Sequence, residues 1–277
     1  MMSIVMMAIL NVCFISCSKD DDTQTEIPDN SDDEESIVEA NIPIDNYYFE
    51  DQGLFFDGSI YYSILSESRK TVEVYGIEDD IKTLVIPDYA RINGTKYAVT
   101  QIAAGVFKES VVESLTIGSN IKEIEEHAFG LDPFHSITVS QRNAIYDSRN
   151  NCNAIIETAS NILIAGSSNT VIPEGVVEIG TSAFSGINIK SINLPNSVRI
   201  IGAHAFSFAD LNAIKIPESV KNINEGAFEG STLKSIILSS GITKIENDVF
   251  RDCKNLTDVT IPDNIESIGD GAFSGCI

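Results

Sequence analysis

From the middle of the chain onward, apolar and polar positions alternate in a register that returns every 22 residues. Its clearest marks are Phe107, Phe129, Phe184, Phe206, Phe228, Phe250 and Phe273, separated by 22, 55, 22, 22, 22 and 23 residues. In INIKSINLPNSVRIIGAHAF the apolar positions are Ile189, Ile192, Leu194, Val198, Ile201, Ala205 and Phe206. The following stretch repeats them as Leu211, Ile214, Ile216, Val220, Ile223, Ala227 and Phe228, and two more stretches do so up to Phe250 and Phe273. An earlier copy runs from Val112 through Leu115, Ile117, Ile121, Ile124 and Ala128 to Phe129. A period of this size predicts a stacked solenoid, because one such unit cannot bury its apolar face alone. Apolar pairs two residues apart, such as Ile192 and Leu194, predict a short strand with one inward face. Pro173, Pro195, Pro217 and Pro262 close those strands by removing a ladder donor. The V-x-x-I-x-x-x-A-F segment that follows has turn or short-helix spacing, with a small alanine where the coil closes and a phenylalanine to fill the core. Every apolar position of the repeat is expected in the core.

Two departures interrupt the run. Residues 137 to 172 form an expanded turn whose IIETASNILI predicts a hairpin around Thr158 to Asn161. The first turn carries a nine-residue insertion with Asn93-Gly94, a type I′ hairpin signal. Taken together, these strings resemble the BspA-like subclass of leucine-rich repeats found on bacterial and some protist cell surfaces. The resemblance covers residues 81 to 277 and rests on the strand, proline and A-F spacings. It implies a mainly β leucine-rich repeat solenoid, with a parallel sheet on one face and turns or short helices opposite. It also implies adhesion to host matrix proteins or other cells.

Ahead of the repeats, residues 46 to 80 alternate aromatic or aliphatic with polar groups, broken at Asp57-Gly58 and at Ser66 to Lys70. That pattern predicts an N-terminal β-hairpin cap, useful where a solenoid end would expose strand edges and an apolar layer. Tyr47, Tyr48, Tyr61 and Tyr62 are expected to pack in this cap, with stacking on sugars as the alternative. At the other end the sequence stops at Ile277, soon after Phe273, which suggests a truncated chain or a last layer covered by something else.

Composition adds a location. The opening MMSIVMMAILNVCFISC is an apolar stretch too short to span a bilayer, ending in small Ser16 and Cys17. It predicts a lipoprotein signal peptide over residues 1 to 16 and lipid attachment at Cys17. SKDDD behind it resembles the export signal of surface lipoproteins of the Bacteroidetes, which implies an outer-membrane, cell-surface lipoprotein. Ten of the 41 acidic residues lie between Asp20 and Glu39, with no Lys or Arg among them, so residues 17 to 45 are expected as a flexible tether. A net charge of −23 without a basic patch argues against nucleic acid as a partner.

The chemistry offered by this composition is sparse. Three histidines are present, no nucleophile, zinc or phosphate-loop motif is found, and DSRNNCN lacks the glycine and final acid of a calcium loop. No enzyme activity, cofactor or metal is therefore expected. Cys253 and Cys276 occupy equivalent places in successive turns, so they are expected either as buried thiols or as a disulfide. Strand alternation places Ser114, Thr116, Ser136, Thr138, Ser191, Asn193, Lys215, Ser235, Asp258 and Thr260 on the open face of the sheet, with Ala213 and Ile237 beside them. This hydroxyl-rich ladder is the candidate binding face for an extracellular protein or a glycan. The alternatives are a self-associating structural module of the envelope and a glycan-binding accessory protein.

Overall fold

A computed structural model describes residues 39–41, 48–49, 53–129 and 134–276. Cys17, the apolar leader, most of the acidic segment, Tyr47 and the side chain of Tyr48 lie outside the described residues. Each repeat forms one coil with three sides. On the first side, Thr83–Ile86, Ser114–Ile117 and Ser136–Val139 pair in parallel. Lys190–Asn193, Leu211–Lys215, Ser235–Ile237 and Asp258–Thr260 pair likewise. Their inward residues, among them Leu115, Ile117, Ile192, Ile214 and Ile236, are buried, as period-two alternation requires, except in the last strand, where Val259 is half-buried.

The second side carries two-residue strands at the V-x-x-I position, including Glu178–Ile179, Ile200–Ile201 and Asn222–Ile223, again paired coil to coil. Turns make up the third side, where among the described residues no α-helix forms; one 3-10 turn, Arg149–Asn151, lies in the expanded coil. The reason sits two residues before each phenylalanine. Gly105, His127, Ser182, His204, Gly226, Asp248 and Gly271 all have positive φ, between 54° and 74°. A left-handed residue once per coil stops helical propagation, and the turn positions hold Gly, Asp, His or Ser in place of one diagnostic residue type. The ladder continues through these turns, with Ser182 N–H donating to the Ala203 carbonyl and Phe184 N–H to that of Ala205 (3.0 and 2.8 Å).

Inside the turns the phenylalanines stack. Phe184, Phe206, Phe228, Phe250 and Phe273 follow one another with ring centroids 5.2 to 5.7 Å apart and planes within 21°. Phe107 and Phe129 form a second stack at 5.1 Å, closed by Phe134, which meets Phe129 edge-on at 6.0 Å. Between the stacks, Ala154–Glu157 and Ile162–Gly166 make an antiparallel hairpin whose second strand pairs with Glu178–Ile179. This hairpin is a wall with two apolar faces. Ala154, Ile156 and Leu163 belong to the core of the later coils, whereas Ile155 and Ala165 belong to that of the earlier ones. Its unbroken AII run follows from burial on both faces.

Upstream, Leu54–Phe56, Ile60–Ser66 and Thr71–Ile77 form an antiparallel meander. Thr71–Ile77 then pairs in parallel with Thr95–Ile102, so the meander and the coils share a sheet. Thr95–Ile102 also pairs with Tyr89–Ile92 across Asn93 and Gly94, both at positive φ as a type I′ turn demands. Tyr62 is fully buried and donates to Asp57 Oδ2 at 2.7 Å, and Tyr61 stacks on Phe56 at 4.4 Å. Tyr62 is therefore core and has no face free for a sugar. One correction concerns the tether. Glu39–Asn41, within the segment expected to be flexible, is a strand paired with Tyr89–Ile92. Arg91 and Lys96 reach Glu39 Oε1 at 2.8 and 3.6 Å, supplying this strand with counter-charge.

Cys253 and Cys276 are free thiols, each donating to the phenylalanine carbonyl one coil back: Cys253 Sγ to Phe228 at 3.0 Å and Cys276 Sγ to Phe250 at 3.1 Å. Burial pushes both thiols above their ordinary pKa, so neither is a ready nucleophile.

Candidate functional site

Register settles which side chains of the open face stand together. Thr83, Ser114 and Ser136 form one row, and Val85, Thr116 and Thr138 another. In the later coils Ser191, Ala213, Ser235 and Asp258 line up, beside Asn193, Lys215, Ile237 and Thr260. All ten candidate residues therefore lie on the first side, but in two patches. Ser136–Val139 pairs with Ser114–Ile117, Lys190–Asn193 pairs with Leu211–Lys215, and no strand pairing joins the two groups. The expanded turn and its hairpin come between them in the chain. The earlier patch is half-buried at Ser114, Thr116 and Ser136, whereas every candidate of the later patch is exposed.

The later patch has a polar rim and an apolar middle. Ile237 is 64% exposed and stands between Lys215 and Thr260 in its row. Lys215 makes no ion pair among the described residues, so its ammonium is available. At the entry to the same sheet Lys190 pairs with Asp210, and at the earlier one Lys82 pairs with Glu113 at 2.8 Å. Both pairs are exposed and contribute little to stability. Such a surface can accept and donate hydrogen bonds and cover one aliphatic group. Among the described residues no three His, Cys, Asp or Glu side chains are placed to hold a metal ion, and no helix is long and apolar enough to cross a membrane.

Three features escaped the sequence reading. Val85, 43% exposed, extends the earlier patch by one coil; the TLVIP string around it has the same strand-and-proline grammar as later coils. Phe208 is 57% exposed at a φ of 54°, and its ring lies over Gly230 of the next coil, where a Cβ would come within 2.5 Å. Glycine at 230 is what gives that ring its seat. Asp88 is buried and bonds the backbone and hydroxyl of Ser119 and, at 3.3 Å, Arg142. It ties three successive turns together.

Comparison with known proteins gives this architecture a family. Residues 90–161 and 164–277 match the BspA type Leucine rich repeat region, in six copies, a repeat module and not a catalytic family. Among curated proteins none matches. A leucine-rich repeat protein from Bacteroides ovatus is 26% identical over 80% of this chain and 57% of its own, with a TM-score of 0.47. One from Eubacterium ventriosum is 23% identical over 70% and 64%, with a TM-score of 0.46. A leucine rich cell surface protein from Faecalibacterium prausnitzii is 20% identical over 80% and 92%, with a TM-score of 0.42. The chain thus spans less than two thirds of the first two proteins. With the 22-residue coil, the phenylalanine stack and the family match in agreement, this chain belongs to the BspA-type leucine-rich repeat family.

Proposed function

We propose that the protein is a cell-surface adhesion module that grips an extracellular protein with the open sheet of its later coils. The observation that carries this reading is the exposed patch in which Ile237 sits among Ser191, Asn193, Lys215, Ser235, Asp258 and Thr260. An apolar centre inside a polar rim is the anatomy of a protein-docking surface. Parallel strands hold the backbone in fixed rows, so no backbone ordering is needed on contact. Family membership supports a binding role, and the leader with Cys17 supports attachment to the outer membrane through lipid, with the acidic segment as a spacer.

Two experiments test it. Asn193→Arg combined with Lys215→Glu should weaken binding to the matrix protein or mucin found in a screen by tenfold or more. Stability should stay within about 0.5 kcal/mol, as for surface changes away from special features. Full binding by this double variant would remove the sheet from consideration, and saturable binding to free glycans alone would replace protein with sugar as the ligand. Separately, Cys17→Ala should abolish incorporation of labelled fatty acid. Undiminished labelling would end the anchor assignment.

A further inference from the structure

The two phenylalanine stacks are separated by a cleft of about 450 Å³, walled on one side by Ile124 to Phe129 and on the other by Glu178 and Gly180 to Ser182, with Ile162 and Ile164 also lining it. Elsewhere on the third side, up to the coil of Phe250, the residue two before each phenylalanine and the phenylalanine itself donate N–H to the following coil. Gly105 donates to His127 and Phe107 to Ala128; His204 donates to Glu225 and Phe206 to Ala227. The expanded turn breaks this rule. It supplies a hairpin and no A-F segment, so among the described residues the N–H groups of His127 and Phe129 have no acceptor. Opposite them the Thr181 carbonyl, equivalent to the acceptors at Ala203 and Glu225, receives no donor. The rung between these walls is incomplete: His127 and Phe129 N–H lie on one side and the Thr181 carbonyl on the other, while the Ala183 carbonyl, equivalent to Ala205 and Ala227, is taken by Gly166 N–H at 2.8 Å.

The side chains state what kind of chain would fill it. Glu125 is satisfied by Gln101 Nε2 at 2.6 Å and Ala104 N–H at 2.9 Å. The carboxylates of Glu126 and Glu178, by contrast, have no ion pair or hydrogen bond among the described residues, and no Lys or Arg lines the cleft. Burial raises the Glu178 carboxyl above its usual pKa, as expected of a half-buried acid without a counter-charge. We propose that this cleft binds an extended basic segment of a partner protein, its backbone completing that rung, its apolar side chains on Ile162 and Ile164, and its cations against Glu126 and Glu178. This is main-chain addition to an existing hydrogen-bond ladder, by analogy with strand addition, in which main-chain bonds give affinity and side chains give selectivity. The chain's own segment from Asp20 to Glu39, with ten acids and no Lys or Arg, has the wrong charge to occupy it. The site is separate from the open sheet and does not depend on that face binding anything.

Amide hydrogen exchange of the full chain decides it, using a library of blocked octapeptides that alternate Lys or Arg with Val or Ile. In the free chain the His127 and Phe129 amides should exchange far faster than those of His204 and Phe206. A bound octapeptide should slow them at least tenfold, leaving Ser191 to Asn193 and Ala213 to Lys215 unchanged. Glu126→Gln with Glu178→Gln should weaken that peptide at least tenfold while keeping the Phe206 amide protected, and added salt should weaken it further. The Asn193→Arg and Lys215→Glu variant should bind it normally, which separates failure here from failure of the sheet reading. The assignment falls if no octapeptide binds, if Glu-containing counterparts bind as well, or if His127 and Phe129 are already protected in the free chain.

Discussion

Replacing Phe206 by alanine is expected to lower the unfolding free energy by about 3–5 kcal/mol, the range for truncating a large core aromatic. Phe206 is wholly buried, with Phe184 on one side at 5.2 Å and Phe228 on the other at 5.4 Å, so its removal opens a void that both neighbouring coils line. Collapse cannot close that void cheaply, because the spacing of the coils is fixed by backbone ladders on all three sides. Position in the stack should matter as much as residue type. Phe273 is only partly buried and stacks on Phe250 alone among its neighbours in the column, so Phe273→Ala should cost clearly less. In a solenoid each coil contacts mainly its neighbours, and a loss at Phe206 should therefore separate the unfolding of flanking coils as well as shift it. Urea unfolding followed by far-ultraviolet circular dichroism measures both. Equal losses at Phe206 and Phe273 would mean that the stack does not carry the interior.

How far such a result could be foreseen differs from element to element. The column of Phe184, Phe206, Phe228, Phe250 and Phe273 was readable because a phenylalanine in one position of every coil leaves the fixed short period of a stacked repeat. Sheet rows such as Asn193, Lys215 and Thr260 followed from alternation alone, since a parallel register stacks equivalent residues. The third side was harder. Its left-handed position holds Gly, His, Ser or Asp in different coils, so no single residue type announces it, and spacing alone allowed a short helix. The cleft left only an indirect trace, the 55-residue step from Phe129 to Phe184. That step says that a phenylalanine is missing. It does not say that Glu178 and Gly180 to Ser182 stand across a gap from His127 and Phe129, with Ile162 and Ile164 lining it. Likewise the division of the open face into two patches depends on pairing across an insertion, which is long-range information that local alternation cannot hold.

Asp88→Ala is the second large effect, and it tests a contact that no motif in the sequence announces. The carboxylate has a side-chain exposure of 3% and takes the Ser119 N–H and hydroxyl on Oδ1, with Arg142 on Oδ2. Losing it should cost about 1.5–3 kcal/mol, the range for hydrogen bonds to a charged group. The roughly 3–5 kcal/mol seen on breaking a fully buried pair is not expected, because the Arg142 side chain is 40% exposed and keeps its hydration when the carboxylate goes. The Ser119 backbone is the partner left worst off, since Gly118 beside it lies so close to the Ile86 carbonyl that even a Cβ there would stand 2.7 Å away. Little room remains for the turn to move toward water. Asp88→Asn keeps an acceptor for Ser119 and gives up only the charge facing Arg142, so its cost should be well below that of alanine. Chemical denaturation of the two variants measures the difference. Equal losses would shift the weight from Ser119 to Arg142, and no loss in either would show that the junction of the first coils stands without Asp88.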